Sequence, residues 1–108
     1  MTNKDLLIRI RNHLPMPVTI AALGRDGPVG KWSEGRFRFL CPHCGEMQAV
    51  VNRRNNLAHC FACSRNINNI DLLIKLGYDF RTAVDILKRW LERHESRLPK
   101  TPAMNEAQ

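Results

Sequence analysis

Apolar residues recur at helical spacing near both ends of the chain and alternate with polar ones in its middle. Over Asp5 to Leu14, the residues Leu6, Leu7, Ile10 and Leu14 line one side of a helix while Arg9 and Arg11 take other faces, and Pro15 and Pro17 end it. Val18 to Leu23 suits a second short helix or an extended segment equally, because periodicity does not separate the two over so short a run. Gly24, Gly27, Pro28, Gly30 and Gly35 then mark a loop. The run Arg36-Phe37-Arg38-Phe39 alternates as a strand does, with both Phe rings on one face and both guanidinium groups on the other. Met47 to Asn52 reads as a further strand, Arg53 to Asn56 as a polar turn and Leu57 to Cys60 as the returning strand.

Helical spacing resumes at Ile70, Leu73 and Ile74, after Asn68 and Asn69, either of which can cap the helix, and Gly77 is its expected stop. Asp79 opens the longest helix, whose stripe of Phe80, Ala83, Val84, Leu87, Trp90 and Leu91 is expected in the core. Arg81 with Asp85, Asp85 with Arg89, and Lys88 with Glu92 are spaced as charge pairs on its solvated side. From Pro99 onward no periodicity survives. The expectation is an α+β fold: a small antiparallel sheet flanked by N-terminal and C-terminal helices, one domain over 1–98, with C-terminal helices at about 69–95 and a disordered tail at 99–108.

A length of 108 residues with 44% apolar content supports one small core. No apolar run reaches the length of a membrane span and no signal-peptide layout opens the chain, so a soluble, cytoplasmic protein without a membrane partner is expected. The formal charge is +7, and twelve of the seventeen basic residues are Arg, which makes a polyanion the default partner. Between Arg36 and Arg65 five arginines face only Glu46, a surplus of +4 that four thiolates with a divalent ion reduce to about +2.

The cysteines fall as Cys41-x2-Cys44, fifteen residues, then Cys60-x2-Cys63. Two residues between thiolates let one tight knuckle present both sulfurs to a single ion, and the insert supplies a hairpin that brings the second pair opposite the first. Gly45 is free to turn left-handed and aim backbone N–H groups at sulfur. Disulfides want an oxidising compartment, unligated cysteines do not explain the pairing, and a redox pair wants a βαβ context that is missing. One structural zinc on Cys41, Cys44, Cys60 and Cys63 is expected, in a ribbon spanning about 36–65, with iron the competing occupant of a four-thiolate tetrahedron. His43 and His59, inside the knuckles, are better placed as second-layer donors or phosphate contacts than as ligands. His13 and His94 read as ordinary surface positions.

At Cys41-Pro-His-Cys, Glu46, His59-Cys60-Phe61-Ala62-Cys63 and Asn68-Asn69-Ile70-Asp71-Leu72-Leu73 the chain resembles the zinc-binding domain of bacterial DNA primases of the DnaG type, and Ala83, Val84 and Leu87 match a later helix of that family. The likeness spans about Arg36 to Leu91. Cys44 stands where the family has histidine, which leaves zinc chemistry intact; the family's Thr-Pro-Ser-Phe is absent, and Ser64 and Ile67 replace its glycines after the second knuckle. A chain of 108 residues is expected to leave no room for a polymerase domain beside this module. The resemblance therefore implies a stand-alone module that recognises template DNA and assists a primase, polymerase or helicase in trans, in a phage or mobile element among other settings.

Lys31, Trp32, Arg36, Arg38, Arg53, Arg54, His59, Phe61 and Arg65 are the candidate nucleic-acid contacts. Basic groups meet phosphates and exposed rings stack on bases. Trp32 suits either stacking or plugging the core, and Phe61 suits either stacking or packing on its knuckle. Single-stranded DNA is the expected ligand, although the same residues serve RNA. The alternative is a zinc-stapled protein–protein adaptor in a replication or transcription complex, its basic residues meeting an acidic partner. No nucleophile with a base, phosphate loop or open metal site is visible, so neither an enzyme nor a small-molecule substrate is expected.

Overall fold

The computed structural model describes residues 4–97. Its elements are α1 (Lys4–His13), α2 (Met16–Leu23), a 3-10 turn (Gly24–Asp26), β1 (Gly30–Ser33), β2 (Arg36–Phe39), β3 (Ala49–Asn52), β4 (Leu57–Cys60), β5 (Asn66–Ile67), α3 (Asn69–Lys75) and α4 (Phe80–Arg97). The five strands form one sheet in the order β1-β2-β3-β4-β5, every pair antiparallel. This is the α+β arrangement of sheet and flanking helices expected from the sequence. The expected tail at 99–108 lies outside the described residues.

Strand alternation divides the sheet into a covered and an open face. Phe37, Phe39, Ala49, Val51, Ala58, Cys60 and Ile67 are buried beneath the helices. Ile10 and Leu14 of the α1 segment, Ile20 and Leu23 of α2, Leu72 and Leu73 of α3, and Leu87 and Leu91 of α4 complete the same core. Each such aliphatic side chain stabilises the fold by about 1.5–3 kcal/mol.

In the N-terminal half one open reading is decided and another changes. Val18 to Leu23, which suits helix or strand by pattern alone, is helical: Pro15 and Pro17 set its entry, and the Pro15 carbonyl accepts from the N–H groups of Val18 and Thr19. The stretch read as loop around Gly30 contains β1, paired along its whole length with β2. Gly30 is there for space rather than for a turn, since a Cβ at that position would meet the Phe37 ring at 2.4 Å. The turn itself is Glu34-Gly35, with φ of 51° and 79°, the left-handed pair that a two-residue hairpin requires.

The strand expected to begin at Met47 begins at Ala49 instead. Met47 and Gln48 lead out of the first knuckle, where Arg38 Nη1 donates to the Met47 carbonyl and to Gln48 Oε1. Asn68 is the cap of α3, in a reciprocal box with Asp71, whereas Asn69 is buried. In α4 the core stripe consists of Ala83, Val84, Leu87 and Leu91. Phe80 is 47% exposed, because a side chain on the first helical residue leans back past the packed layer, and Trp90 is half-buried. None of the three expected charge pairs along α4 closes. Among the described residues the ion pair is Arg9 with Glu95, at 2.6 Å, joining α1 to α4.

Candidate metal centre and open sheet face

Each cysteine pair sits on a tight turn that follows a strand, and the two turns share one hydrogen-bond pattern. The Cys41 N–H donates to the Glu46 carbonyl, and the Gly45 N–H to the Cys41 carbonyl, both at 2.9 Å. In the second turn the Cys60 N–H donates to the Arg65 carbonyl at 2.9 Å, and the Ser64 N–H to the Cys60 carbonyl at 2.8 Å. Gly45 and Ser64 occupy the equivalent left-handed position, with φ of 78° and 63°. The turn also points the His43 N–H at Cys41 Sγ, 3.4 Å away.

The four sulfurs form a compact cluster, all within 4.8 Å of one another. Cys41 and Cys63 approach to 3.8 Å and Cys44 and Cys60 to 3.6 Å across the two turns. A tetrahedron with metal–sulfur bonds of about 2.3 Å has edges of about 3.8 Å, whereas a disulfide is about 2.05 Å long. All four thiols are free, and their spacing fits a single metal ion. Neither His43 nor His59 belongs to the cluster.

Without a cation the sulfurs share ionisation unequally, one thiol favoured at the expense of another. At Cys44 the Glu46 N–H favours the thiolate, but lost hydration and the sulfurs of Cys60, Cys41 and Cys63 push the thiol up to about 12. At Cys60 burial acts upward, and the N–H groups of Cys63 and Ala62 with the Cys44 and Cys63 sulfhydryls bring it down to about 7. A divalent ion removes the conflict by deprotonating all four ligands. Beside the site, partial burial, then Arg65 and Lys75, hold His43 below the ordinary imidazole range, with Asp71 acting the other way.

The open face of the sheet carries a straight row across all five strands, Lys31, Arg38, Val50, His59 and Asn66, each opposite the next in register. Arg36 stands on the same face, two residues before Arg38 on β2. The His59 Nδ1 and Asn66 Oδ1 are hydrogen-bonded at 2.8 Å, and the Phe61 ring lies edge-on to the imidazole at 4.8 Å. Phe61 is 65% exposed, so it does not pack down on its knuckle. An open groove of about 830 Å³ runs along this face, lined by Arg36, Val50, Arg53, Arg54, His59 and Phe61 among others.

The nine candidate contacts thus divide. Lys31, Arg36, Arg38, His59, Arg53, Arg54 and Phe61 lie on or around the open face. Trp32 pairs with Phe37 and so belongs to the opposite face, where its indole meets the Phe37 ring edge-to-face at 5.4 Å. Arg65 lies in the second knuckle and acts on His43. The sequence reading missed Val50, the apolar centre of the row, and Asn66, which anchors His59; only the strand register reveals either.

Among the described residues no helix is long and apolar enough to cross a membrane. Searches against protein-family models, curated proteins and solved structures returned no match.

Proposed function

We propose that the chain is a primase-like zinc-binding module that holds single-stranded DNA on the open face of its sheet and works beside a separate replication enzyme. The observation that carries this reading is the row of Lys31, Arg38 and His59, with Arg36 and the exposed Phe61 ring beside it, on the sheet face opposite the one that the described helices pack against. Lysine and arginine meet the phosphates, and displaced counterions supply much of the affinity. Phe61 offers a stacking surface, which every base can use, so the contact tolerates sequence.

Zinc is the ion this reading assigns to Cys41, Cys44, Cys60 and Cys63. Four thiolates close the tetrahedron, so the ion joins the two turns and has no open position for chemistry. Its binding would contribute about 10–16 kcal/mol to folding. The chain is read as a binding module rather than an enzyme.

A second reading, an adaptor for an acidic protein, is favoured by a groove of about 400 Å³ between α2 and α4, where Val18, Ala21 and Trp90 sit beside Arg93 and Arg97. The two readings separate in a salt-series titration of metal-loaded protein against matched single-stranded DNA, duplex DNA and single-stranded RNA, with chelated protein as control. Zinc-dependent preference for single-stranded DNA is expected. Replacing Arg36 and Arg38 by Glu should then weaken binding and reduce the salt slope by about 0.7 for each phosphate that is no longer neutralised. Absence of binding at low salt would sink the single-strand reading and leave the adaptor.

A further inference from the structure

Arg53 lines two grooves at once. One is the open-face groove; the other lies between the β1–β2 hairpin, the β3–β4 turn and the N-terminal helices, is walled by Trp32, Phe37, Pro15, Pro17 and Asn12, and meets the first at Val51 and Arg53. This second pocket measures about 360 Å³, at the lower end of the range for small-ligand sites, which begins near 300 Å³. Its main wall is an indole that stays 59% exposed although its strand turns it toward the helices. Packing explains the exposure: β1 is an edge strand, and Trp32 rests against the rim of Phe37 without being covered by α1 or α2.

We infer that the Trp32 pocket is a nucleobase site, into which a strand lying on the open face turns a base past Arg53. The inference deepens the single-strand reading and rests on it. Phe37 fixes the indole in place, so an incoming ring finds a preset stacking surface and little side-chain entropy is lost. The prolines supply apolar walls. Asn12 is exposed at the pocket and carries both a donor and an acceptor for a base edge. Arg53, shared by both grooves, stands where the phosphate between an outer and an inserted nucleotide would pass. No carboxylate lines the pocket, and an aliphatic ligand would have no use for the guanidinium at its mouth.

The chain has two tryptophans, so Trp90→Phe leaves Trp32 as the sole indole reporter. Metal-loaded Trp90→Phe protein would be titrated with oligothymidylate and with an oligomer of equal length that carries no bases. Oligothymidylate is expected to quench Trp32 and to bind about tenfold more tightly than the baseless strand. Trp32→Leu should close that gap with the salt slope retained; Trp32→Phe, which keeps a ring against Phe37, should narrow it and serves if Trp32→Leu does not fold. Saturating oligothymidylate that leaves Trp32 emission unchanged, while the Arg36→Glu, Arg38→Glu protein still loses binding, would overturn the pocket and spare the open-face reading. Failure of both oligomers to bind would overturn the open-face reading. Thymidine monophosphate then decides the pocket alone: quenching of Trp32 supports it, and no quenching removes it.

Discussion

The side-chain amides of Asn56 and Asn69 donate to the same backbone oxygen, that of Leu14, at 2.6 and 2.7 Å. Asn56 Nδ2 also donates to the Arg11 carbonyl, its Oδ1 accepts from the Met16 N–H, and Asn69 Nδ2 also donates to the Ile10 carbonyl. The oxygens involved are those a helix end leaves without partners, so the β3–β4 turn and the start of α3 together finish α1. Asn56→Ala removes three bonds, two to those oxygens and one from the Met16 N–H, and places alanine at a φ of 56°. It should cost about 3 kcal/mol in urea unfolding, and Asn69→Ala about 2 kcal/mol. Either change alone leaves the Leu14 oxygen bonded once. The double variant should therefore lose about 1 kcal/mol more than the sum, and strict additivity would refute the shared acceptor.

Metal removal should dismantle the ribbon first. Chelation is expected to abolish the strand signal in circular dichroism and to lower the melting temperature, because two opposed turns lose the ion that joins them. Cys44→His is the informative variant. Cys44 is the exposed ligand, and an imidazole there still completes a tetrahedral site. Cobalt-loaded Cys44→His should keep a tetrahedral spectrum with weaker sulfur charge-transfer bands, and metal content measured by mass spectrometry should stay at one ion per chain. Loss of the ion would show that the site demands four thiolates.

The equivalence of Gly45 and Ser64 predicts opposite outcomes for opposite substitutions. Ser64 holds a left-handed φ of 63° that glycine adopts freely, so Ser64→Gly should raise unfolding stability by about 1 kcal/mol. A Cβ at Gly45 meets nothing within 4 Å. Gly45→Ala should therefore lower stability by about 1 kcal/mol through backbone conformation alone. Equal stabilities in denaturant titration would mean the two turns are not conformationally matched.

At the start of α4 the Thr82 N–H, and then its hydroxyl, hold the Asp79 carboxyl below its ordinary range, with the N–H donating to Oδ1 at 2.8 Å. A depressed carboxylate stabilises the fold above its unfolded pKa, and that contribution fades as pH falls through the lower folded value. Asp79→Asn should therefore narrow the stability gap to wild type as the pH drops below about 4. Thermal melts of both proteins across that range, compared by difference, cancel the protonation of the metal ligands they share.

The ribbon and the C-terminal helices were legible because their signals are local. Paired cysteines at fixed spacing, the alternation of Phe37 and Phe39, and the caps at Asn68 and Asp79 each lie within a few residues of what they determine. The rest depends on partners far away in the chain. Gly30 looks like a loop residue until the Phe37 ring is seen against it, and Asn56 looks like a turn residue until its amide is traced 42 positions back to Leu14. Trp32 is ambiguous for the same reason: only the pairing of β1 with β2 decides which side its indole takes. The cluster of Cys41, Cys44, Cys60 and Cys63 was the clearest part of the candidate site, and the make-up of the open face the least, since His59 and Val50 become neighbours only through strand register.

Because each strand hydrogen-bonds only to its neighbours in sequence, the sheet can assemble in the order in which a ribosome releases it. The second cysteine pair emerges well before α4, so the ion could be captured on a nascent chain whose last helix is still in the exit tunnel. Ribosome-stalled chains of increasing length, probed for thiol protection by zinc, would put the onset of protection before α4 is released. Protection appearing only with the finished helix would make the last apolar stripe, and not the ion, the step that commits the chain to its fold.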